Sequence, residues 1–282
     1  MPNEIRRSGR YSELRATDWA DLIKCIHDGL WNDSIGRFRS TYAYRGMSSH
    51  IYSLEPSIHR LGEYYEGLEE NLIKQFEKYA SEIVDLDKNI WRTLSIGQHY
   101  GLPTRLLDWT YSPQIALHFA TCDLKQYEED GVIWRVNFDD AHKILTNEQK
   151  AVLTESRGGV FTFEGLKKTF PDLKTFNGQQ RNEEPLAIFF EPPTIDSRIS
   201  NQFAYFSIMS DRHADMAEWL LRPEISSRVR SQKVIIPKEI KWEIRDKLDL
   251  TNINERLLFP GLGGLCSWLS RHYVKLPEDK KS

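Results

Sequence analysis

The residues best suited to chemistry crowd into the stretch from Ile96 to Thr121, IGQHYGLPTRLLDWTYSPQIALHFAT. His99, Tyr100, Thr104, Arg105 and Asp108 supply donors and acceptors, Gly97, Gly101 and Pro103 interrupt regular structure, and Leu106 and Leu107 between them favour burial. A neutral imidazole at His99 can orient a ligand hydroxyl or carry a proton near pH 7, or it can satisfy a backbone carbonyl. Asp108, between Leu107 and Trp109, is costly to bury unless it is paired or its pKa rises, and Arg105 and Arg45 are the expected partners. The hydroxyls of Thr104 and Thr110 fit a ribose or an amide, whereas Ser112 before Pro113 reads as a helix cap. Upstream, Arg45 follows the aromatic run TYAY and precedes Gly46. In that position a guanidinium can reach a phosphate or carboxylate while the glycine lets a ligand approach, or it can pair with Asp108. His118, beside Phe119, reads as a packing or surface residue.

Other chemistries lack their residues. The eight histidines are dispersed and neither HExxH nor CxxC occurs, so no structural metal is expected. The GxxxxGK[ST], GxGxxG and GxSxG patterns are also absent. Cys25, Cys122 and Cys266 have no paired spacing and read as small core residues. A formal charge of -3 gives no global reason to expect nucleic acid as a partner, although Arg198, Arg222, Arg228 and Arg230 could form a local basic groove or simply a solvated face. No apolar run approaches the ~18 residues of a membrane span, and MPNEIRRSGR lacks a secretory apolar stretch, so the expected location is cytoplasmic, with no membrane partner.

These residues must be positioned by a core that 282 residues with 40% hydrophobic and 12% aromatic content can build. Spacing predicts helices over Trp19 to Leu30 capped by Thr17 or Asp18, over Glu66 to about Leu86, near Ile90 to Gly97, over Ser112 to Thr121, over Lys238 to Leu248 and after Gly264. Strands are predicted at Thr41 to Arg45, Gly131 to Phe138, Leu186 to Phe190, Phe203 to Ile208 and Lys233 to Ile236. Residues 151–184 read as loops with short helices. Strands and helices without clean β-α-β alternation favour one α+β domain.

Tyr44-Arg45-Gly46, the block QHYGLPTRLLDWT from Gln98 to Thr110, and Ser112-Pro113 with Ala116 to Ala120 resemble the FRG domain family, named for its F/Y-R-G tripeptide. The resemblance continues at Gly131 to Arg135, Arg198, Asn201-Gln202, Phe206 and Leu258-Phe259-Pro260, spanning roughly Tyr42 to Leu269. The FRG domain is expected at 41–270, with the opening helix in a helical element at 1–40 and the polar C-terminus, which includes Pro277 to Ser282, as a mobile tail at 271–282. The order of elements is also similar to the ADP-ribosyltransferase fold of the arginine–serine–glutamate type, which implies a mixed-sheet core with N-terminal helices and a C-terminal helix. Gln202 stands where that fold carries its catalytic glutamate, and Asp108 or Glu191 is the alternative source of charge. The resemblance implies NAD or another nucleotide as substrate, with Arg45, His99 and Gln202 in catalytic roles. Arg45, Tyr100, Thr104, Asp108 and Trp109 would bind the cofactor, Arg45 clamping phosphate and Tyr100 or Trp109 stacking on a ring. A protein or nucleic-acid acceptor, in a bacterial toxin or anti-phage effector, follows from the same resemblance. The competing reading is a non-catalytic ligand-sensing or interaction module whose Arg/His/Asp cluster is structural.

Overall fold

A computed structural model describes residues 3–62, 67–155 and 159–275. Among them nine strands form one mixed sheet: β1 (Asn3–Ser8), β2 (Tyr11–Arg15), β3 (Tyr42–Met47), β4 (Leu107–Thr110), β5 (Gly131–Asn137), β6 (Phe161–Thr162), β7 (Ala187–Glu191), β8 (Ala204–Met209) and β9 (Ser231–Ile236). The order across the sheet is β1-β2-β9-β5-β3-β4-β8-β7-β6, antiparallel except for the β2–β9 and β7–β6 pairs. The helices that bear on the site are α1 (Trp19–His27), α2 (Leu68–Ala80), α3 (Ile90–His99), α4 (Pro113–Thr121), α5 (Ser197–Gln202), α6 (Lys241–Leu250), α7 (Glu255–Leu258) and α8 (Leu262–His272).

Because strand side chains alternate, each strand feeds two cores. Leu107, Trp109, Val132, Trp134, Ala187, Phe189 and Tyr205 fill a core on one face. On the opposite face Tyr42, Tyr44, Ile133 and Val234 pack under α1, α4 and α6. Further along that face, Ile188, Phe190, Phe206 and Ile208 pack against Trp91 and Leu94 of α3. Central strand β5 is buried at every position, Arg135 included. Its guanidinium lies 4.0 Å from the Tyr42 ring centre and donates to the carbonyls of Cys25 and Asp28 at 2.6 and 2.5 Å, which satisfies a charge that would otherwise forbid burial.

The α+β class and the mixed sheet follow the sequence expectation, and so do the caps. Asp18 accepts from the Asp21 N–H at 2.9 Å, and Ser112 accepts from the Ile115 N–H at 3.4 Å. Elsewhere the structure departs from the expectation. Residues 3–15, within the segment expected to be helical, form the β1–β2 hairpin, and β2 joins the sheet beside β9. The mostly exposed β1 carries no apolar alternation to announce it. Strand β3 continues through Gly46 to Met47, and α3 runs through Gly97 to His99, so His99 ends a helix rather than occupying a turn. Helix α2 ends at Ala80, short of Leu86, and the predicted start at Glu66 lies outside the described residues. Of the expected tail, Arg271 and His272 close α8, with Arg271 buried, while residues 276–282 lie outside the described residues. No helix among the described residues is long and apolar enough to cross a membrane.

A buried histidine ties the first core to acid sensitivity. His142 donates from Nδ1 to the Gly159 carbonyl at 2.9 Å and accepts at Nε2 from the Phe189 N–H at 3.0 Å, an arrangement only the neutral ring can make. Burial pulls its pKa down to about 4. A folded-state pKa below the unfolded value of about 6.5 means stability is full above pH 6.5 and is lost as pH falls from there toward 4. The urea midpoint should therefore drop between pH 7 and pH 5, and His142→Gln should flatten that dependence; an equal drop in the variant would refute the assignment.

Candidate functional site

Two helical layers, one headed by α4 and the other by α3, share one face of the sheet and leave a strip uncovered between them. The strip holds Asp108 and Thr110 of β4 and Ala204 of β8, and with Gln98 of α3, Phe119 of α4, and Arg198 and Gln202 of α5 it encloses a cleft of about 290 Å³. Strands β3 and β4 pair only at Tyr44 and Thr110, and Arg45 bridges the gap beyond that pair. Its Nη1 donates to the Asp108 carbonyl at 2.6 Å, supplying the donor that a continued ladder would have given, and lies 3.8 Å from Oδ2 of the same residue. Burial lowers the Arg45 pKa, the Asp108 charge opposes that effect, and nearby Arg60 adds to it. A guanidinium remains cationic throughout.

The Asp108 carboxylate is fixed from the other side by Gln98, whose Nε2 donates to Oδ2 at 2.8 Å. Gln98 Oε1 in turn accepts from the Thr104 hydroxyl at 2.7 Å. Asp108 is thus presented to the cleft in a set orientation while its side chain stays 59% exposed, open to a ligand. The expectation of an apolar surround fails because strand alternation sends Leu107 and Trp109 to the opposite face.

Helix α5 is tethered at both ends. At its start Asp196 caps the helix by accepting from the Arg198 N–H at 2.8 Å and also takes His99 Nε2 at 2.8 Å. Partial burial works against the Asp196 carboxylate, but the His99 bond and the Arg198 N–H prevail and hold its pKa below the usual range. At its end Asn201 and Gln202 donate to the carbonyls of Leu257 and Leu258 at 2.7 and 2.9 Å, and the Arg198 guanidinium lies 5.0 Å from the Phe259 ring centre. Segment 255–259 is anchored in turn by Glu255, which takes Arg271 at 2.8 Å and Arg245 at 3.3 Å, while Arg245 donates to His118 Nδ1 on α4 at 2.7 Å. Burial opposes the Glu255 charge, yet the Arg271 bond and the Arg245 charge outweigh it and hold the pKa at about 2. Burial, with the adjacent Arg245 charge, drives His118 down to about 3, so it is a neutral acceptor inside this network. The elements around the cleft are therefore joined by side-chain bonds to one another's side chains and backbone.

The structure brings Arg45, Asp108 and Gln202 into one cleft and moves other expected site residues elsewhere. Trp109 is 3% exposed, donates from Nε1 to Ser207 at 2.7 Å and packs on Phe189, so its ring is committed to the opposite-face core although the residue is among those lining the cleft. Tyr100 lies outside the cleft and borders an apolar groove with Phe76 and Ile83. Thr104 is buried and spends its hydroxyl on Gln98, and His99 holds α5 rather than lining the opening. Arg105 does not pair with Asp108; it meets Glu69 at 2.7 Å, with both side chains 2% exposed. Gly46 lines the cleft, but the space its missing side chain leaves is taken by α4, because a Cβ there would fall 1.8 Å from the Ala116 carbonyl oxygen. Gln98 in its bridging role and Glu255 as an anchor were not read from the sequence. Gln98 lies in the QHYG block, but nothing local marks Glu255 as a partner of Arg271.

Fold and site together define an α+β protein with a polar, two-arginine cleft set over a mixed sheet. Residues 40–129 match the FRG domain family model. No curated protein and no solved structure matches the chain. The matched residues supply Arg45, Gln98, Asp108 and Phe119 to the cleft, whereas Arg198, Gln202 and Ala204 lie beyond them.

Proposed function

We propose that the cleft binds NAD or a related nucleotide and that its chemistry is transfer of ADP-ribose to a protein or nucleic-acid acceptor. The observation that carries this reading is the convergence of two guanidiniums, Arg45 and Arg198, with the Asp108 carboxylate and the Gln98 and Gln202 amides around one opening. Arginines suit a pyrophosphate, and amides suit ribose hydroxyls. A second cleft of about 430 Å³ shares Arg198, giving a dinucleotide room to extend past the first. In the reaction the bond between ribose C1′ and nicotinamide breaks with its electron pair leaving on nicotinamide, and an acceptor nucleophile bonds to C1′ and releases its proton to solvent. The developing positive charge on the ribose calls for a carboxylate, and Asp108 is the carboxylate among the lining residues. Gln202 can hold a hydroxyl but adds no charge.

One observation favours a ligand-sensing module instead: the Gln202 amide N–H is already engaged by the Leu258 carbonyl. Calorimetric titration with NAD and with ADP-ribose, beside an assay for nicotinamide release, separates the two. Arg45→Ala should weaken binding about 10- to 100-fold, the value of a charged hydrogen bond. Binding without nicotinamide release would assign the sensor, and no binding of either ligand at high protein concentration would end the nucleotide reading. A toxin or anti-phage role would fit such transfer activity.

A further inference from the structure

A third cleft, polar and of about 510 Å³, shares no lining residue with the other two. Lys143, Lys150, Arg181 and Arg228 line it, against a single carboxylate, Glu148, in a chain whose formal charge is -3. The cations come from three separate stretches, and one of them, Lys143, is held by an ion pair. Buried Asp140 accepts Lys143 Nζ at 2.8 Å and Arg230 Nε at 2.5 Å, pinning two cations from different segments to one point. Arg181 sits at the shoulder of a two-residue hairpin turn whose Asn182 and Glu183 both take positive φ, 53° and 68°, the conformation that matches the twist of paired strands. Arg10 reaches the Arg228 carbonyl at 3.5 Å and brings a further cation to the rim. Lys150, Arg181 and Arg228 form no ion pair within 4.0 Å among the described residues; Arg181 acts on the Glu148 carboxylate through its charge alone, and four cations against one carboxylate leave the cleft net positive.

We propose that this cleft binds the phosphodiester backbone of a nucleic acid. Its lining contains no aromatic ring on which a base could stack, so contacts fall on phosphates and recognition is independent of sequence. Four cations against one carboxylate give the local excess of positive charge that backbone phosphates neutralise. The attraction is local, because the molecule as a whole is weakly anionic. The inference does not depend on the nucleotide reading of the first cleft, and its failure would leave the NAD titration unaffected.

Fluorescence anisotropy with a labelled DNA duplex, repeated with single-stranded RNA, tests it. For three phosphate contacts the affinity should fall about 40-fold between 50 and 200 mM salt. The combined variant Lys150→Ala, Arg181→Ala, Arg228→Ala should bind at least about 10-fold more weakly at 50 mM salt, with a flatter salt dependence, while melting at the wild-type temperature, since all three side chains reach solvent. Wild-type affinity in that variant, or no binding of either nucleic acid at 50 mM salt, would overturn the proposal. Full displacement of the duplex by equimolar inorganic triphosphate would also overturn it, by showing a pocket for a small free phosphate compound.

Discussion

Gly46→Ala should destabilise the protein by about 3 kcal/mol or more, at the upper end of what overpacking costs. The added Cβ would lie 1.8 Å from the Ala116 oxygen, 2.7 Å from its carbonyl carbon and 2.8 Å from the Ala120 nitrogen. All three atoms are backbone, so no side-chain rotation relieves the clash, and α4 must lift from β3 as a body. Phe119 rides on α4 and lines the cleft, so ligand binding should fall together with stability. Chemical denaturation of wild type and variant checks the first expectation; a loss below about 1 kcal/mol would mean that the helix sits farther from the strand than described.

Glu255→Ala should cost about 3–5 kcal/mol, because it leaves Arg245 and Arg271 buried without their shared counter-ion. Burial already lowers the Arg245 pKa, and the neighbouring Arg271 charge lowers it further; without Glu255 that repulsion is largely unrelieved. Asp249, 2.7 Å from Arg271, compensates only in part. The loss should also reach the cleft, because the Leu257 and Leu258 carbonyls that hold α5 belong to the helix Glu255 begins. Urea unfolding monitored by tryptophan fluorescence measures the stability change. A variant that stays folded but retains full affinity for a ligand of the first cleft would show that α5 holds its place without this anchor.

The sequence made some of this arrangement legible, and the dividing line is separation along the chain. Caps such as Asp18 and Ser112 are readable because donor and acceptor lie three residues apart. The partnership of Arg45 with Asp108 was one of two expected, and the two residues sit on adjacent strands. The partner of Arg105 was not, because Glu69 lies 36 residues earlier on a helix whose face is set only by tertiary packing. Gly46 shows the same limit: a glycine beside an arginine can admit a ligand or a helix, and only the position of α4 decides between them. Polar strands such as β1 escape a reading based on apolar periodicity, since their pairing rests on backbone bonds.

The single rung between β3 and β4 bears on what can be cut from this chain. The FRG match at 40–129 contains both strands, yet β3 relies on β5 and β4 on β8 for the rest of their ladders, and both partners lie outside the match. Excised alone, that segment would have two strands joined at one point, each with an open edge ready to pair with another molecule. The stretch that the family model matches is thus narrower than the sheet its two strands belong to, which needs β5 and β8 as well.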